Sequence, residues 1–287
     1  MAVFIAGFAA SLVDGALGMG FGPTSSSILL GTGLSPAGIS TTVNLAKVAT
    51  GLTAAVAHWR FENIDRRIVR RLVLPGSLGA LVGVTVLANV DADTLKPILA
   101  VLLLAMAARI LLRFSRPMAT RTAAEDDGGA GRYDARGTAA VAAAGGVTNG
   151  LIGAWGPVVT PFLLQRGLAP RYAIGSVNTA EVAVAVVASG SLLASVGGGG
   201  IDIAVVVAML AGGVLAAPVA AWAIGVLPAR ALGVAVGGLL FVLNTRELTS
   251  SSDLHALRWP GYGLAAVACA YAAVRPRRQR TQLPLDA

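Results

Sequence analysis

The chain has 287 residues, of which 55% are hydrophobic, 36 are glycine and 13% are charged, about half the charged fraction of a soluble domain. A mean hydropathy of +0.75 means more apolar side chain than a soluble domain of this size can bury, which excludes disorder, a coiled coil and a nucleic-acid-binding domain and identifies an integral membrane protein. One cysteine, Cys269, and two histidines exclude an intrachain disulfide, a thiolate cluster and a histidine-rich metal site, so neither a metal nor any other cofactor is expected.

In chain order, the first apolar stretch covers 3–30 and is interrupted by glycine and proline. Residues 1–10 carry no basic segment, so a secretory signal peptide is not expected. Segments 37–58, 69–88 and 95–112 follow, each close to the roughly 20 apolar residues that a spanning helix needs. The one long polar segment, 115–137, holds Glu125, Asp126 and Asp127 and reads as a flexible linker. A second interrupted apolar stretch covers 138–164, and apolar segments 172–194, 201–224, 229–243 and 260–274 complete the chain.

The two halves repeat one another. Gly22-Pro23 and Gly156-Pro157 lie 134 residues apart, as do Gly33-Leu34 and Gly167-Leu168, Pro36 and Pro170, and Val43-Asn44 and Val177-Asn178. With one residue of slip, Gly15 and Gly18 align with Gly150 and Gly153. The expected organisation is a first repeat over 1–114, a cytoplasmic linker over 115–137, a second repeat over 138–245, and an extra C-terminal transmembrane helix with a basic tail over 246–287.

The net charge of +8 is gathered in clusters: Arg60, Arg66, Arg67, Arg70 and Arg71; Arg113, Arg116, Arg121, Arg132 and Arg136; and Arg275, Arg277, Arg278 and Arg280. Basic clusters mark cytoplasmic loops. Placing all three inside leaves the acidic 89–94 loop outside, and works only if 138–164 enters and returns as a re-entrant hairpin. By analogy 3–30 is a hairpin entering from the other side. Each unit then has one hairpin and three crossings, an odd number, so the units are inverted, although Arg246 and Arg258 fall outside. The expected fold is an all-α polytopic membrane protein of two inverted repeats, each a Gly/Pro-broken helix plus three spanning helices, with one extra C-terminal helix and the basic tail cytoplasmic. Inverted repeats with interrupted helices point to a secondary transporter, because irregular backbone in a bilayer survives only where protein or a wet cavity covers it.

The first interruption runs from Asp14 to Ser27. Gly18, Gly20 and Gly22 permit the turn, Pro23 suits the first turn of the next helix, and Thr24, Ser25 and Ser26 bring hydroxyls to it. A helix start carries unpaired N–H donors and the positive end of the dipole, and so attracts an anion. The second interruption repeats Gly156-Pro157, with Val158 and Val159 in place of hydroxyls and Thr160 the first to return. Close packing of helices on small residues is the competing explanation of these glycines. The Gly-x-Gly run lacks the strand and acidic residue of a dinucleotide loop.

Lys47 and Glu181 lie in the middle of apolar segments at the same repeat position, each three residues after an asparagine, Asn44 and Asn178. A charge at that depth costs at least about 2.5–3.5 kcal/mol and needs partners or water. Either Lys47 neutralises a bound anion while Glu181 carries a coupling proton, or the two pair and hold the units in register. Asp14 is a second proton carrier or a residue of the outer mouth. His58-Trp59 suits an interfacial anchor, Arg109 can snorkel, and Trp155 either walls a cavity or packs. No nucleophile–base pair can be assembled, so the chain is not expected to be an enzyme.

Gly33-Leu34-Ser35-Pro36 and Gly167-Leu168-Ala169-Pro170, Val43-Asn44-Leu45-Ala46-Lys47, His58-Trp59-Arg60-Phe61 with Asn63 and Asp65, and Gly175-Ser176-Val177-Asn178-Thr179-Ala180-Glu181 make the sequence resemble the TauE/SafE sulfite exporter family over about residues 5–245. The resemblance implies transport of sulfite or a related organosulfur anion across the cell membrane, often as export. The expected substrate site comprises Gly20, Gly22, Pro23, Thr24, Ser25, Asn44, Lys47, Gly156, Pro157, Thr160 and Asn178, with Glu181 or Asp14 coupling transport to protons. The expected partners are a small anion, a coupling proton and the lipid bilayer, without nucleic acid, and the oligomeric state stays open. An anion channel and a non-transporting membrane scaffold are the alternatives.

Overall fold

A computed structural model describes residues 1–17, 20–115, 133–196, 202–226, 229–250 and 255–274. Gly18, the acidic linker residues Glu125 to Asp127, the glycine run 197–200 and the arginine tail 275–280 lie outside the described residues. Among the described residues all regular structure is helical: α1 (Ala2–Leu17), α2 (Phe21–Leu30), α3 (Pro36–Arg60), α4 (Arg66–Asn89), α5 (Ala92–Ser115), α6 (Thr138–Ile152), α7 (Gly156–Gln165), α8 (Pro170–Val196), α9 (Ile203–Val226), α10 (Ala229–Ser250) and α11 (Arg258–Val274). Both interrupted stretches are broken where the glycines fall, between α1 and α2 and between α6 and α7.

Local chemistry explains the boundaries. The Ser35 hydroxyl accepts the Gly38 N–H at 3.1 Å and Pro36 opens α3, an N-cap followed by a residue with no donor to lose. The Asp65 carboxylate accepts the Arg67 and Ile68 N–H groups at 2.8 and 3.3 Å and starts α4. At the end of α6, Gly153 takes φ +67°, a conformation that a Cβ disfavours.

Helices α1–α5 contain 16, 10, 25, 24 and 24 residues, and α6–α10 contain 15, 10, 27, 24 and 22, so the same order of long and short pieces occurs twice. Packing is reciprocal as well: α1 lies on α9 and α6 on α4, while α3 meets α8 and α5 meets α10. Two of these contacts bring backbone against backbone. A Cβ on Gly7 of α1 would stand 2.0 Å from the Met209 carbonyl oxygen of α9, and one on Gly146 of α6 would stand 2.0 Å from that of Gly76 on α4. Close approach through small residues replaces the hydrophobic driving force that lipid removes.

Polarity is distributed inside out. Leu52, Val56, Leu74, Leu78, Val82, Val101, Val186 and Val214 face outward, while Ser25, Ser26, Ser40, Asn44, Lys47, Asn149 and Thr160 are buried, the arrangement a hydrocarbon solvent favours. Helices α4, α5 and α8 have the length and apolar composition to cross a membrane. Helix α3 is as long, at 25 residues, and carries Ser40, Asn44 and Lys47 inward.

Candidate functional site

Where α6 stops, the Gly153 N–H still caps the Asn149 carbonyl at 2.8 Å, but the carbonyls beyond it have no partner in their own helix, and in a bilayer they cannot turn to water. Side chains from α2 and α3 take them up. The Ser40 hydroxyl donates to the Gly150 carbonyl at 2.5 Å, and Ser26 donates to that of Ile152 at 2.8 Å. The Asn44 amide donates to the Asn149 carbonyl at 3.2 Å, and the Asn149 amide returns a hydrogen bond to Asn44 Oδ1 at 2.7 Å. Lys47 Nζ donates to the Gly153 carbonyl at 2.5 Å and to Asn149 Oδ1 at 3.4 Å. A cation at the negative end of α6 also suits the helix dipole.

The third partner of Lys47 is the Glu181 carboxylate of α8, so the two mid-helix charges form an ion pair. Lys47 is 6% exposed, and all three of its donors are engaged. Asp14, near the end of α1, lies within electrostatic range of both Glu181 and Lys47. Its carboxylate accepts the Phe21 N–H at the start of α2, at 3.2 Å. Three charged side chains, from α1, α3 and α8, therefore lie in one neighbourhood: the Lys47–Glu181 pair, and Asp14, which feels both.

The two breaks meet at this point. A Cβ on Gly22 would fall 1.9 Å from the Gly153 carbonyl oxygen, and one on Gly153 would fall 2.4 Å from Val43 Cγ1. Only glycine allows the first turn of α2 to cross the break after α6. Gly20, at φ +137°, precedes that turn, and Pro23 is buried within it. Of the three hydroxyls there, Ser25 donates to the Phe21 and Gly22 carbonyls at 2.6 and 3.1 Å and Ser26 to Ile152. Thr24, 1% exposed, has no partner for its hydroxyl among the described residues, an expensive state for a buried donor unless something else binds it.

The second break offers fewer donors. Pro157 and Thr160 are buried in α7 and Gly156 is half-buried. The Val158 and Val159 N–H groups both bond the Trp155 carbonyl, at 3.1 Å, so the start of α7 has few free donors. Trp155 is fully buried. Its ring lies over Gly76 and Gly145 and its Nε1 donates to the Val177 carbonyl at 3.2 Å, so it packs. Asn178 does not join Asn44. Its amide meets His58 Nε2 at 3.4 Å, and His58 lies about three turns beyond Lys47 on α3.

Asn149 escaped the sequence reading, though a signal for it existed. The alignment of Gly15 with Gly150 places Asn149 opposite Asp14, and an asparagine in an apolar helix end needs a partner.

Residues 3–246 match the family described as Sulfite exporter TauE/SafE. The chain is also 38% identical over 265 residues to the "Probable membrane transporter protein YtnM" of Bacillus subtilis (strain 168), covering 90% of this chain and 86% of that protein. No solved structure matches.

Proposed function

Since the chain belongs to the TauE/SafE sulfite exporter family and is a membrane transporter, we propose that it is a proton-coupled secondary transporter of a small oxyanion, sulfite or a related organosulfur anion, bound where the two helix breaks cross. The family's name supports the sulfur substrate, and Lys47 together with the N–H groups at the start of α2 supports the anion. The observation that carries the reading is the convergence of Lys47, Glu181 and Asp14 on that crossing.

In this arrangement the chain's own carboxylates hold both anion-attracting groups. Glu181 occupies Lys47, and Asp14 occupies the N–H at the start of α2. An incoming oxyanion competes with them, and a proton on either carboxylate weakens the competitor. Binding of anion and uptake of protons are then linked, which is the thermodynamic requirement for coupled movement. Thr24 is the free hydroxyl available to the anion, and the α2 N–H groups released by Asp14 add donors. Lys47 and Glu181 are repeat-equivalent, and equivalent residues of two copies can touch only on the axis relating them. The matched helix lengths and reciprocal packing support two repeats about such an axis, and the charge clusters support their inversion, with linker and tail cytoplasmic.

Thermal unfolding in detergent with sulfite, sulfate, thiosulfate and an alkylsulfonate tests the site, since a ligand stabilises the state it binds. Sulfite or the sulfonate should raise the transition, and more at pH 6 than at pH 8. The sulfonate keeps one charge over that range, so its pH dependence reports the protein. No stabilisation by any of the four anions would contradict the reading. Uphill anion movement driven by a pH gradient would separate a transporter from a channel.

A further inference from the structure

We propose that the outer face of α4 holds an anionic phospholipid, its phosphate on Arg70 and Arg71 and an acyl chain in the groove between α4 and α6. A cavity of about 510 Å³ lies there, lined by Arg70, Arg71, Leu74, Pro75, Leu78 and Ala139. Its lining changes with depth as a lipid does. Guanidinium groups stand at one end, and Leu74 and Leu78, 67% and 57% exposed, follow one and two turns further along α4.

The arginines have no internal counterpart. Among the described residues neither Arg70 nor Arg71 makes an ion pair. Nor do they serve the helix, since Arg66, Arg67, Arg70 and Arg71 crowd the end of α4 where the dipole is already positive. A second cavity, about 410 Å³, flanks α4 on its other side and places Arg66 and Arg70 above Ala55, Trp59 and Val69. Arg70 thus lines two apolar grooves, each open at the protein surface. Guanidinium matches phosphate geometry with two parallel hydrogen bonds, and basic pockets beside transmembrane helices at the membrane surface suit anionic headgroups. A phosphate without chains would leave both grooves unfilled, so the occupant is the lipid and not free phosphate.

Native mass spectrometry of the full chain, released from detergent with phosphatidylglycerol or phosphatidylcholine, tests this. Phosphatidylglycerol should be retained in preference to phosphatidylcholine. Arg70→Gln/Arg71→Gln should reduce retention about 25-fold, roughly fivefold for each arginine, while Arg246→Gln, on α10 and outside the groove, should leave it unchanged. Ala139→Trp, which fills the groove and keeps the arginines, should also reduce it, and glycerol phosphate should compete poorly. Equal retention of both lipids, or retention unchanged in the double arginine variant, would overturn the assignment. Effective competition by glycerol phosphate would overturn the role of the groove.

Discussion

The two helix breaks share a backbone plan and differ in what they offer. The first, at α1 and α2, has a carboxylate at its end, Asp14, and hydroxyls at its restart, Thr24 to Ser26, one of them without a partner among the described residues. The second, at α6 and α7, has Asn149 in place of Asp14, valines in place of the hydroxyls, and carbonyls that Lys47, Asn44, Ser40 and Ser26 take up. The repeated glycines preserve the crossing, while the side chains have diverged into a donor side and an acceptor side. On the proposed reading an anion has one site at the crossing and not two equivalent ones, with Lys47 as the hinge between the sides.

The largest effect is expected from breaking that hinge on one side only. Lys47→Met leaves Glu181 buried without its cation and should lower stability by about 3–5 kcal/mol, whereas Lys47→Met/Glu181→Met should restore most of it. Chemical unfolding of both variants in the same detergent measures the difference. A single variant as stable as wild type would mean that the pair is not held as described.

Next in size is the contact between the breaks. Gly22→Ala puts a Cβ 1.9 Å from the Gly153 oxygen and should cost at least about 1–3 kcal/mol as the backbones separate. Gly190→Ala, where a Cβ meets nothing within 4 Å, should be neutral or slightly stabilising. Equal melting temperatures for the two variants would show that the breaks do not touch.

Thr24→Val separates binding from folding. A buried hydroxyl without a partner contributes nothing to stability, so the variant should melt no lower than wild type. Loss of a hydrogen bond to a charged ligand should weaken anion affinity by about 1.5–3 kcal/mol, roughly 10- to 100-fold. Titration of the anion against the melting temperature reads both quantities, and unchanged affinity would remove Thr24 from the donor side.

How much of this the sequence carried depended on whether a residue's partner was itself repeated. The breaks, the cap at Ser35 and the mid-helix charges were legible because glycine, proline and an isolated charge in an apolar segment have few physical explanations. The sequence offered Lys47 and Glu181 either as a structural pair or as anion and proton groups, and the fold brings the two side chains into contact. Asn178 was harder. Its repeat position matches that of Asn44, but Asn44 is placed by Asn149 and Asn178 by His58, and no periodicity encodes those unlike partners. The capping of the α6 carbonyls by another part of the chain was equally hidden, since each donor is a common serine or asparagine.

The smallest effect concerns the exits from the breaks. The turn after α7 is tied by Arg166 Nη1 to Asp134 Oδ2 at 2.5 Å, while the turn after α2 is held by the Ser35 cap. Asp134 is exposed and precedes α6, outside the apolar helices, and a hydrogen bond from the Arg136 N–H, aided by the Arg166 charge, holds its carboxyl below the usual carboxylate range. A carboxyl depressed in the folded state contributes stability at neutral pH and loses it as acid carries the pH down through the depressed value. Asp134→Asn should therefore melt slightly lower than wild type at pH 7 and alike under strongly acidic conditions. A difference that grew with acidity would contradict the assignment.

The central claim, that Lys47 at the crossing binds the transported anion, is tested most directly by sulfite flux into proteoliposomes under a pH gradient, comparing wild type with Lys47→Met/Glu181→Met. Wild type should accumulate sulfite, and the double variant, folded and apolar at the same position, should transport none above protein-free vesicles. Wild-type flux in the double variant would reduce the pair to a structural tie and place the anion elsewhere.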